Sequence, residues 1–431
     1  MTLTPRNFAR WLAVIALGGL IVRVLYVLVE RRDFTFVGDA VFYHEGANLL
    51  ADGRGFISPF ELASSGRAVE AADHPPLHML WLTIPSFVGI DTELSHLLWS
   101  CLLGAGTIVL VGLLGSEVAG PRVGLVAAAI AAVYPNIWWH DGALMSETMA
   151  IFTATLAVWL AYRYRRDATI AGAVALGVAC ALAALTRAEL ILLLPFVVLP
   201  LVLRAPAAPV DRRARLVRLG AAGGAAVITL APWVGFNLAR FENPVLISTG
   251  FELTLNIANC DDTYYGPLTG YFSIECARPT AERARRAGLD QSEEATRHRR
   301  EALEYIGDHK SRVPVVVAAR WGRITGLYRL DQLTTLATVE GQERWVAVTG
   351  MASLWLLAAL AAVGVVVLRR RRVPVYPLLA LVLIVFIAVA ISYAPQRFRA
   401  SAEPAVVVLA AVGIDAAVRR IRTRRNSIGA P

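Results

Sequence analysis

Apolar and polar residues alternate in long blocks along this chain. Several apolar blocks reach roughly 17–24 residues, the length that an α-helix needs to cross a hydrocarbon core about 30 Å thick. Taken in order, the blocks predict about ten spans, near residues 9–29, 93–115, 122–139, 147–163, 168–185, 189–204, 216–237, 346–368, 373–392 and 403–418. The pattern therefore predicts an all-α, polytopic membrane protein.

Clusters of arginine predict the orientation of these spans. With the N-terminus in the cytoplasm and ten crossings, the clusters near 163–166, 204–218, 369–372 and 419–425 all fall inside, as the positive-inside rule requires. Arg6 and Arg10 precede the first block as in a signal peptide, but no small-residue cleavage site follows, so we expect a retained anchor. We expect a bacterial inner-membrane protein with both termini in the cytoplasm.

The topology divides the chain into three predicted regions. Residues 1–240 form an N-terminal transmembrane module whose first outer loop covers 31–90, and residues 241–345 form an extracytoplasmic loop region. Residues 346–431 supply the last spans and a basic cytoplasmic tail. Two short amphipathic stretches in the outer loops, Leu77–Ile90 and Val313–Leu330, predict helices that lie along the membrane surface.

Composition agrees with a membrane protein and argues against nucleic acid as a partner. Hydrophobic residues make up 56% of the chain and charged residues 17%, which is too apolar for an ordinary soluble domain. The net charge of +9 comes from arginines placed between apolar blocks, where they determine topology.

The first outer loop opens with Gly38-Asp39-Ala40 and continues with Phe42, Tyr43 and His44. A carboxylate beside aromatic residues at the membrane surface could be partly dehydrated, which would raise its pKa and make it a general base near neutral pH. Asp39 also suits the N-cap of a helix through Leu50, so a structural role stays open.

Further along the same loop stands Asp73-His74-Pro75-Pro76. Paired prolines fix a turn and then begin a helix, which places Asp73 and His74 at a helix N-terminus, a favourable position for a phosphate. A loop that merely needs a stiff corner would show the same residues.

Two further acidic positions lie where predicted spans meet the outer face. Glu147 follows Ser146 at the entry to the fourth span, where Ser146 could cap the helix. Arg187 and Glu189 occupy a very short outer turn, where charges are costly unless they pair or face a polar cavity. An Arg187–Glu189 pair, or snorkelling to the interface, is the structural alternative.

The last outer turn carries Arg397 and Arg399, followed by Glu403. Arginines on the outer face oppose the topological bias, and an anionic ligand would explain them. Binding of lipid headgroups is the alternative.

Cys260 and Cys276 share the second outer loop, which would face an oxidising compartment. We expect a disulfide between them that stabilises the loop by about 3 kcal/mol, with two free thiols as the alternative.

These motifs together resemble the GT-C superfamily of membrane glycosyltransferases, in particular the bacterial branch near protein O-mannosyltransferases and the lipid A aminoarabinose transferase. The resemblance implies a GT-C bundle and transfer of a sugar, with inversion, from a polyprenyl-phosphate donor to an unidentified extracytoplasmic acceptor. It implies Asp39 as base or acceptor-orienting carboxylate and Glu147 as a second acidic site. His74, Arg187, Arg397 and Arg399 are then candidates for the lipid phosphate, and Asp73 for a divalent metal ion.

The chain departs from the aminoarabinose transferases, which commonly have Glu-Lys where Asp73-His74 stands. An imidazole replaces a fixed charge there, so arginines or a divalent cation would share the neutralisation of the phosphate. Two other functions remain: a lipid or sugar transporter, and a non-catalytic scaffold of envelope assembly. A transporter should carry charges near mid-membrane, whereas the predicted spans are mostly uncharged at their centres and Arg23 is expected to snorkel to the interface.

Overall fold

The computed structural model of the protein describes residues 4–203 and 211–428. Within these ranges the chain forms helices and no β-strand, and a helix occupies each of the ten segments that hydropathy singles out. The predicted all-α architecture is confirmed. Arg204, which ends the sixth predicted span, lies outside the described residues, as do residues 429–431 of the predicted tail.

The α-helices are numbered here in chain order. Those that coincide with predicted spans are α1 (Pro5–Tyr26), α5 (Glu93–Ala119), α6 (Pro121–Val133), α7 (Pro135–Trp138), α8 (Glu147–Asp167), α9 (Ile170–Ala184), α10 (Leu199–Leu203), α11 (Arg212–Arg240), α18 (Arg344–Arg370), α19 (Tyr376–Ile391) and α20 (Glu403–Ile428). The others are α2 (Asp39–Ala51), α3 (Pro59–Ser65), α4 (Leu77–Ser86), α12 (Gly250–Ile257), α13 (Asp261–Tyr264), α14 (Arg278–Ala287), α15 (Gln291–Asp308), α16 (Val313–Thr325) and α17 (Leu330–Val339). Short 3-10 or π turns join several of them, at Val27–Arg31, Trp139–Gly142, Ala188–Leu192, Leu194–Val198, Ile274–Cys276 and Gln396–Ala402.

Five continuous helical segments of the described chain are long and apolar enough to cross a membrane: Pro5–Arg31, Glu93–Ala119, Arg212–Arg240, Arg344–Arg370 and Gln396–Thr423. A sixth results if Pro121–Val133 and Pro135–Gly142 are one bent span. Shorter apolar helices occupy Ile170–Ala184, Ala188–Leu203 and Tyr376–Ile391. The protein is therefore a multi-pass membrane protein, and the total of ten crossings stays a prediction.

A sharp bend after α6 positions the start of α8. Tyr134 is extended between α6 and α7, and the two helical segments on either side meet at 66°. Pro135 explains the break, because proline disfavours helical backbone at the preceding residue and donates no N–H bond to the turn before it. The chain then passes through Trp139–Gly142 and re-enters the bundle at Glu147.

The last membrane helices pack with almost no space between their backbones. A Cβ added at Gly364 of α18 would overlap the carbonyl of Leu409 in α20, and one added at Gly413 of α20 would overlap the carbonyl of Leu360. Close approach of this kind is the usual means of helix association in lipid, where van der Waals contact replaces the hydrophobic drive. The close packing of α18 against α20 fixes the position of Gln396–Ala402, the segment that precedes α20.

The second outer loop is folded against the first. Arg240 donates hydrogen bonds to the carbonyls of Phe56 and Ala71, at 2.9 and 2.7 Å, and the Thr249 N–H donates to the carbonyl of Ala72 at 2.8 Å. A disulfide joins Cys260 to Cys276, whose Cα atoms are 6.2 Å apart. These contacts hold the Asp73-His74 turn in place from the side.

The expectation that Arg23 snorkels is wrong. Its side chain is fully buried, and its Nε donates to Asp141 Oδ2 at 2.6 Å. The guanidinium also donates to the carbonyls of Gly19, Ala132 and Ala131. The bend near Tyr134 brings Asp141 next to α1. Hydropathy does not predict this contact, which gives Arg23 a counter-ion that the sequence pattern does not show.

Candidate active site

Five separate parts of the chain converge at one end of the helical bundle. Asp39 begins α2, His74 precedes α4, Glu147 begins α8, Arg187 follows α9 and Arg397 lies in the turn Gln396–Ala402 before α20. The Leu77 N–H donates to the carbonyl of Leu185 at 2.9 Å, which ties the start of α4 to the end of α9. The predicted outer-face motifs are thereby brought together.

Arg397 is the centre of this cluster. Its Nη1 donates to Asp39 Oδ2 at 2.8 Å and lies 3.4 Å from Glu147 Oε1, while its Nε lies 2.8 Å from Glu340 Oε2. Only 12% of its side chain is exposed. One guanidinium therefore bridges carboxylates from three distant segments.

Asp39 is not a helix cap. The N-cap position is Gly38, at φ +60°, and the Asp39 carboxylate turns toward Arg397 and His74. Burial alone would raise the pKa of Asp39, but the positive charges of Arg397 and His74 lower it well below its ordinary value. The expected upward shift is wrong, and Asp39 is an ionised carboxylate with 31% of its side chain exposed.

His74 lies over Asp39 and is held by aromatic rings. Its Nε2 is 3.5 Å from Asp39 Oδ1, and its ring stacks on Tyr43 with centroids 5.1 Å apart. Phe42 contacts the same imidazole edge-on. Burial lowers the pKa of His74, but the adjacent Asp39 carboxylate outweighs it, so the pKa is raised and the protonated form is favoured.

Glu147 lies beneath the arginines and is fully buried. Ser146 occupies the N-cap position and Glu147 the first turn of α8, as the structural alternative expects, but the Ser146 side chain makes no capping hydrogen bond. Glu147 Oε1 instead accepts from Arg187 Nη1 at 2.8 Å, and Arg187 Nε donates to Glu189 at 2.6 Å. The expected Arg187–Glu189 pair therefore exists, but as part of a network that includes Glu147.

Arg399 and Glu403 form a separate buried pair. Arg399 Nε donates to Glu403 Oε1 at 2.6 Å, and its Nη1 donates to the carbonyl of Ile324 at 2.9 Å. The Tyr134 hydroxyl donates to the other carboxylate oxygen of Glu403 at 2.8 Å. Both side chains are therefore already satisfied by protein, and the structure does not bring them into the Arg397 cluster.

Two other predicted residues face away from the cluster. His44 lies against His96, with their Nδ1 atoms 3.0 Å apart, so its partner belongs to α5. Asp73 lies beside His74 in sequence, but its carboxyl is held on the side of Gln291 and burial raises its pKa. Tyr43 supports His74 from below through its ring.

The residues do not fit the predicted divalent metal ion. Among residues 4–203 and 211–428, no group of three or more His, Cys, Asp or Glu side chains is arranged to hold one. The carboxylates that converge, Asp39, Glu147 and Glu340, do so on Arg397, whose guanidinium fills the position that a cation would take. Asp73 is not among the carboxylates that converge on Arg397; its charged neighbours are His74 and Glu294.

Glu340 is the site residue that sequence reasoning missed. It follows α17 directly, pairs with Arg397 and accepts a hydrogen bond from Tyr271 at 3.1 Å. Burial raises the pKa of Glu340 despite the opposing charge of Arg397. An acidic residue at the C-terminal end of a helix interacts unfavourably with the helix dipole unless a basic side chain pairs with it. This position of Glu340 is the signal by which it could have been found.

The cluster contains more acidic than basic groups. Its four carboxylates face two guanidiniums and one imidazole; they are Asp39, Glu147, Glu189 and Glu340 against Arg187, Arg397 and His74. An anion would therefore be repelled from its centre. Within the described chain, the Nη2 atoms of Arg187 and Arg397 have no hydrogen-bond acceptor, so each arginine retains donors for a ligand at the rim.

Comparisons with known proteins concern the fold and the family rather than single side chains. A family model described as dolichyl-phosphate-mannose-protein mannosyltransferase matches residues 73–235. The fold is similar, over 98% of this chain, to the archaeal oligosaccharyltransferase AglB from Archaeoglobus fulgidus in complex with an inhibitory peptide and a dolichol-phosphate, with a TM-score of 0.60 and 16% identity. The chain therefore shares its fold with this archaeal oligosaccharyltransferase.

The chain spans about half the length of the AglB structures, 52% in the complex with dolichol-phosphate. A second structure of the Archaeoglobus fulgidus enzyme, in complex with Zn and sulfate, matches 96% of this chain and 50% of its own with a TM-score of 0.58 and 14% identity. ArnT from Cupriavidus metallidurans bound to undecaprenyl phosphate gives a TM-score of 0.44 at 15% identity, over 95% of this chain and 78% of ArnT. No curated protein sequence matches the chain.

Proposed function

We propose that this protein is an inverting glycosyltransferase that moves a sugar from a polyprenyl-phosphate donor to an acceptor on the extracytoplasmic side of a membrane. The observation that carries the proposal is the Asp39 carboxylate, ionised, partly exposed and fixed between Arg397 and His74. The family model and the AglB fold support a lipid-phosphate donor, because both descriptions name a dolichyl or dolichol phosphate.

Asp39 orients the acceptor in this mechanism. An ionised carboxylate accepts a hydrogen bond from the incoming nucleophile and aims its lone pair at the anomeric carbon, opposite the departing phosphate. Because the pKa of Asp39 is low, the carboxylate is a weak base at the start of the reaction. It takes the proton late, after the new bond has made the nucleophile acidic. Attack from the opposite face inverts the anomeric carbon.

The donor phosphate is bound at the rim of the cluster. His74, whose pKa is raised, and the unoccupied Nη2 donors of Arg187 and Arg397 are the cationic groups available there. They stabilise the charge that develops on the phosphate as it leaves. Arg399, also predicted for this role, is committed to Glu403 and is not included in the proposal.

Glu147 has a positioning role in this proposal. With no exposed surface, it does not reach a substrate, but it accepts from Arg187 and lies 3.4 Å from Arg397. Glu147 therefore sets the distance between the guanidiniums of Arg187 and Arg397. Because Arg397 also contacts Asp39, Glu147 positions Asp39 indirectly. No step is assigned to a metal ion.

The test is a transfer assay with purified protein and a panel of polyprenyl-phosphate sugars, in which release of polyprenyl phosphate is measured. Asp39→Asn should keep the fold but reduce release by at least about a hundredfold, the usual scale of losing such a group. Asp33→Asn is the matched control, since Asp33 is an exposed acid of the same loop. Full activity of a folded Asp39→Asn protein, on a donor that the parent uses, would overturn the assignment.

A further inference from the structure

A cleft separate from the Arg397 cluster opens at the end of α19, on the outer side of the loop region. It has a volume of about 350 Å³ and lies between α12, α15, α16 and the last residues of α19. Its walls are mainly apolar and include Phe251, Leu255, Leu303, Ile306, Val313 and Ile391. None of the residues assigned to the Arg397 cluster lines it.

One charged side chain at the bottom of this cleft has no counter-ion. Arg320 is 2% exposed and donates only to neutral oxygens, the carbonyls of Ala390 and Ala258 at 2.8 and 2.5 Å and the side-chain oxygen of Asn259 at 3.1 Å. Throughout the described residues, no carboxylate lies within ion-pairing distance of it, and its Nε has no hydrogen-bond partner. Burial lowers the pKa of Arg320 to about 10.

A buried, unpaired charge is expensive, so its presence needs a reason. Three neutral acceptors satisfy part of the guanidinium, but they supply no negative charge. An anionic group that enters the cleft would supply it, near a guanidinium whose Nε has no acceptor. Arg299, which lines the same cleft and is exposed, adds a second positive charge, with Glu252 as its acidic neighbour.

Three of the apolar residues around this charge are exposed. Leu303 is 54% exposed, and Phe251 and Ile391 are each 46% exposed. The cleft lies where the apolar helix α19 ends, and beside it the Trp321 indole donates to the carbonyl of Phe386 at 3.0 Å. Tryptophan at the end of an apolar helix is typical of the membrane interface. The rim therefore faces the region where lipid headgroups and upper acyl chains lie.

We propose that this cleft binds an anionic membrane lipid, with its phosphate paired to Arg320 and Arg299 and an acyl chain along Leu303, Ile306 and Ile391. The lipid is neither donor nor acceptor; it anchors the outer loop region to the membrane beside α19. A free phosphate would leave the apolar rim uncovered, and an uncharged amphiphile would leave Arg320 unpaired.

The experiment measures binding of dioctanoyl phosphatidylglycerol to the purified full chain in detergent by calorimetry. Dioctanoyl phosphatidylcholine and glycerol phosphate are tested in parallel, since the first lacks the net charge and the second lacks the chains. We expect phosphatidylglycerol to bind at least about tenfold tighter than either, because hydrogen bonds from charged groups contribute at this scale. Equal binding of phosphatidylcholine, or of glycerol phosphate, would overturn the proposal.

Two variants locate the site. Arg299→Gln and Leu303→Glu should each weaken phosphatidylglycerol binding by about tenfold. Arg300→Gln is the matched control, since Arg300 is the next residue of α15 and lies 3.9 Å from Glu304 on the exposed face. Arg320→Gln removes three internal hydrogen bonds and endangers folding, so it is not needed for the conclusion. If Arg299→Gln and Leu303→Glu bind the lipid like the parent, the cleft is not its site.

This test is independent of sugar transfer. Arg299→Gln should use the donor in the transfer assay like the parent while it loses lipid affinity. Loss of transfer in Asp39→Asn with lipid binding unchanged would support both proposals separately.

Discussion

Arg397 and Arg399 stand two residues apart in one short turn, yet they belong to opposite kinds of environment. Arg397 contacts carboxylates from three segments, one of them partly exposed, and keeps a free Nη2. Arg399 contacts one carboxylate, Glu403, four residues further along the chain, and the Tyr134 hydroxyl closes the pair. The first arrangement can exchange partners with a ligand, whereas the second is complete without one.

The difference lies in where the partners come from. The carboxylate of Asp39 is 358 residues from Arg397 in sequence, and that of Glu147 is 250 residues away, so this cluster exists only when the bundle has closed. The Arg399–Glu403 pair has the spacing of neighbours on a helix and forms with its own turn. We therefore propose that Arg397 serves function and Arg399 serves stability, and the following changes test that division.

The largest effect should come from Glu403→Gln. It leaves Arg399 buried without a charge partner, which should cost about 3–5 kcal/mol of stability. Unfolding in mixed micelles measures it, and replacing both residues, Arg399→Met with Glu403→Leu, should recover most of the loss. A Glu403→Gln protein as stable as the parent would mean that Arg399 is not a structural arginine.

The next largest loss of stability should come from removing the Cys260–Cys276 disulfide. The loop that it closes contains Tyr271, the hydrogen-bond partner of Glu340. Replacing Cys260 and Cys276 by serine should cost about 3 kcal/mol, the chain-entropy value for a loop of this size. Non-reducing peptide mapping checks the bridge itself. Reductant should destabilise the parent but leave the double variant unchanged, and equal stability of parent and variant would show that the bridge does not restrain the loop.

A smaller effect is expected for Arg397→Lys. Lysine keeps the charge but not the fork of donors, so donor-lipid binding should weaken by roughly 1–3 kcal/mol while the fold persists. Arg399→Lys is the matched control and should bind donor like the parent. If Arg399→Lys loses donor and Arg397→Lys does not, the roles of the two arginines are reversed.

The smallest effect concerns pH. Because the folded pKa of His74 is raised, its pair with Asp39 adds stability that is complete below the unfolded pKa of about 6.5 and is lost as pH rises through the folded value. The depressed pKa of Asp39 acts only at acidic pH, where stability falls as the carboxylate is protonated. The stability difference between parent and His74→Gln should therefore shrink from pH 6 to pH 9.

Much of the site could be named from residues that oppose the local rules. Arg187 and Arg397 oppose the charge bias of the outer face, Glu147 lies at the entry to a span, and Asp39 and His74 belong to motifs of the first outer loop; all five meet in the structure. Arg399 opposes the same rule but is satisfied by its neighbour, so charge placement alone could not separate it from Arg397. Glu340 was missed because the sequence pattern predicted no helix that ends beside it, whereas in the structure it follows α17 directly.

Local hydrophobicity and the placement of proline and arginine were enough to predict the membrane class, the helix positions and the gathering of the polar motifs at one end of the bundle. Which charges are partners became known from the folded structure. In the fold, Arg23 is buried and pairs with Asp141, and Arg399 pairs with Glu403. Asp39 lies between Arg397 and His74, whose positive charges lower the pKa of Asp39. Electrostatic energies depend on distances of a few ångströms between groups far apart in the chain, and packing alone fixes those distances.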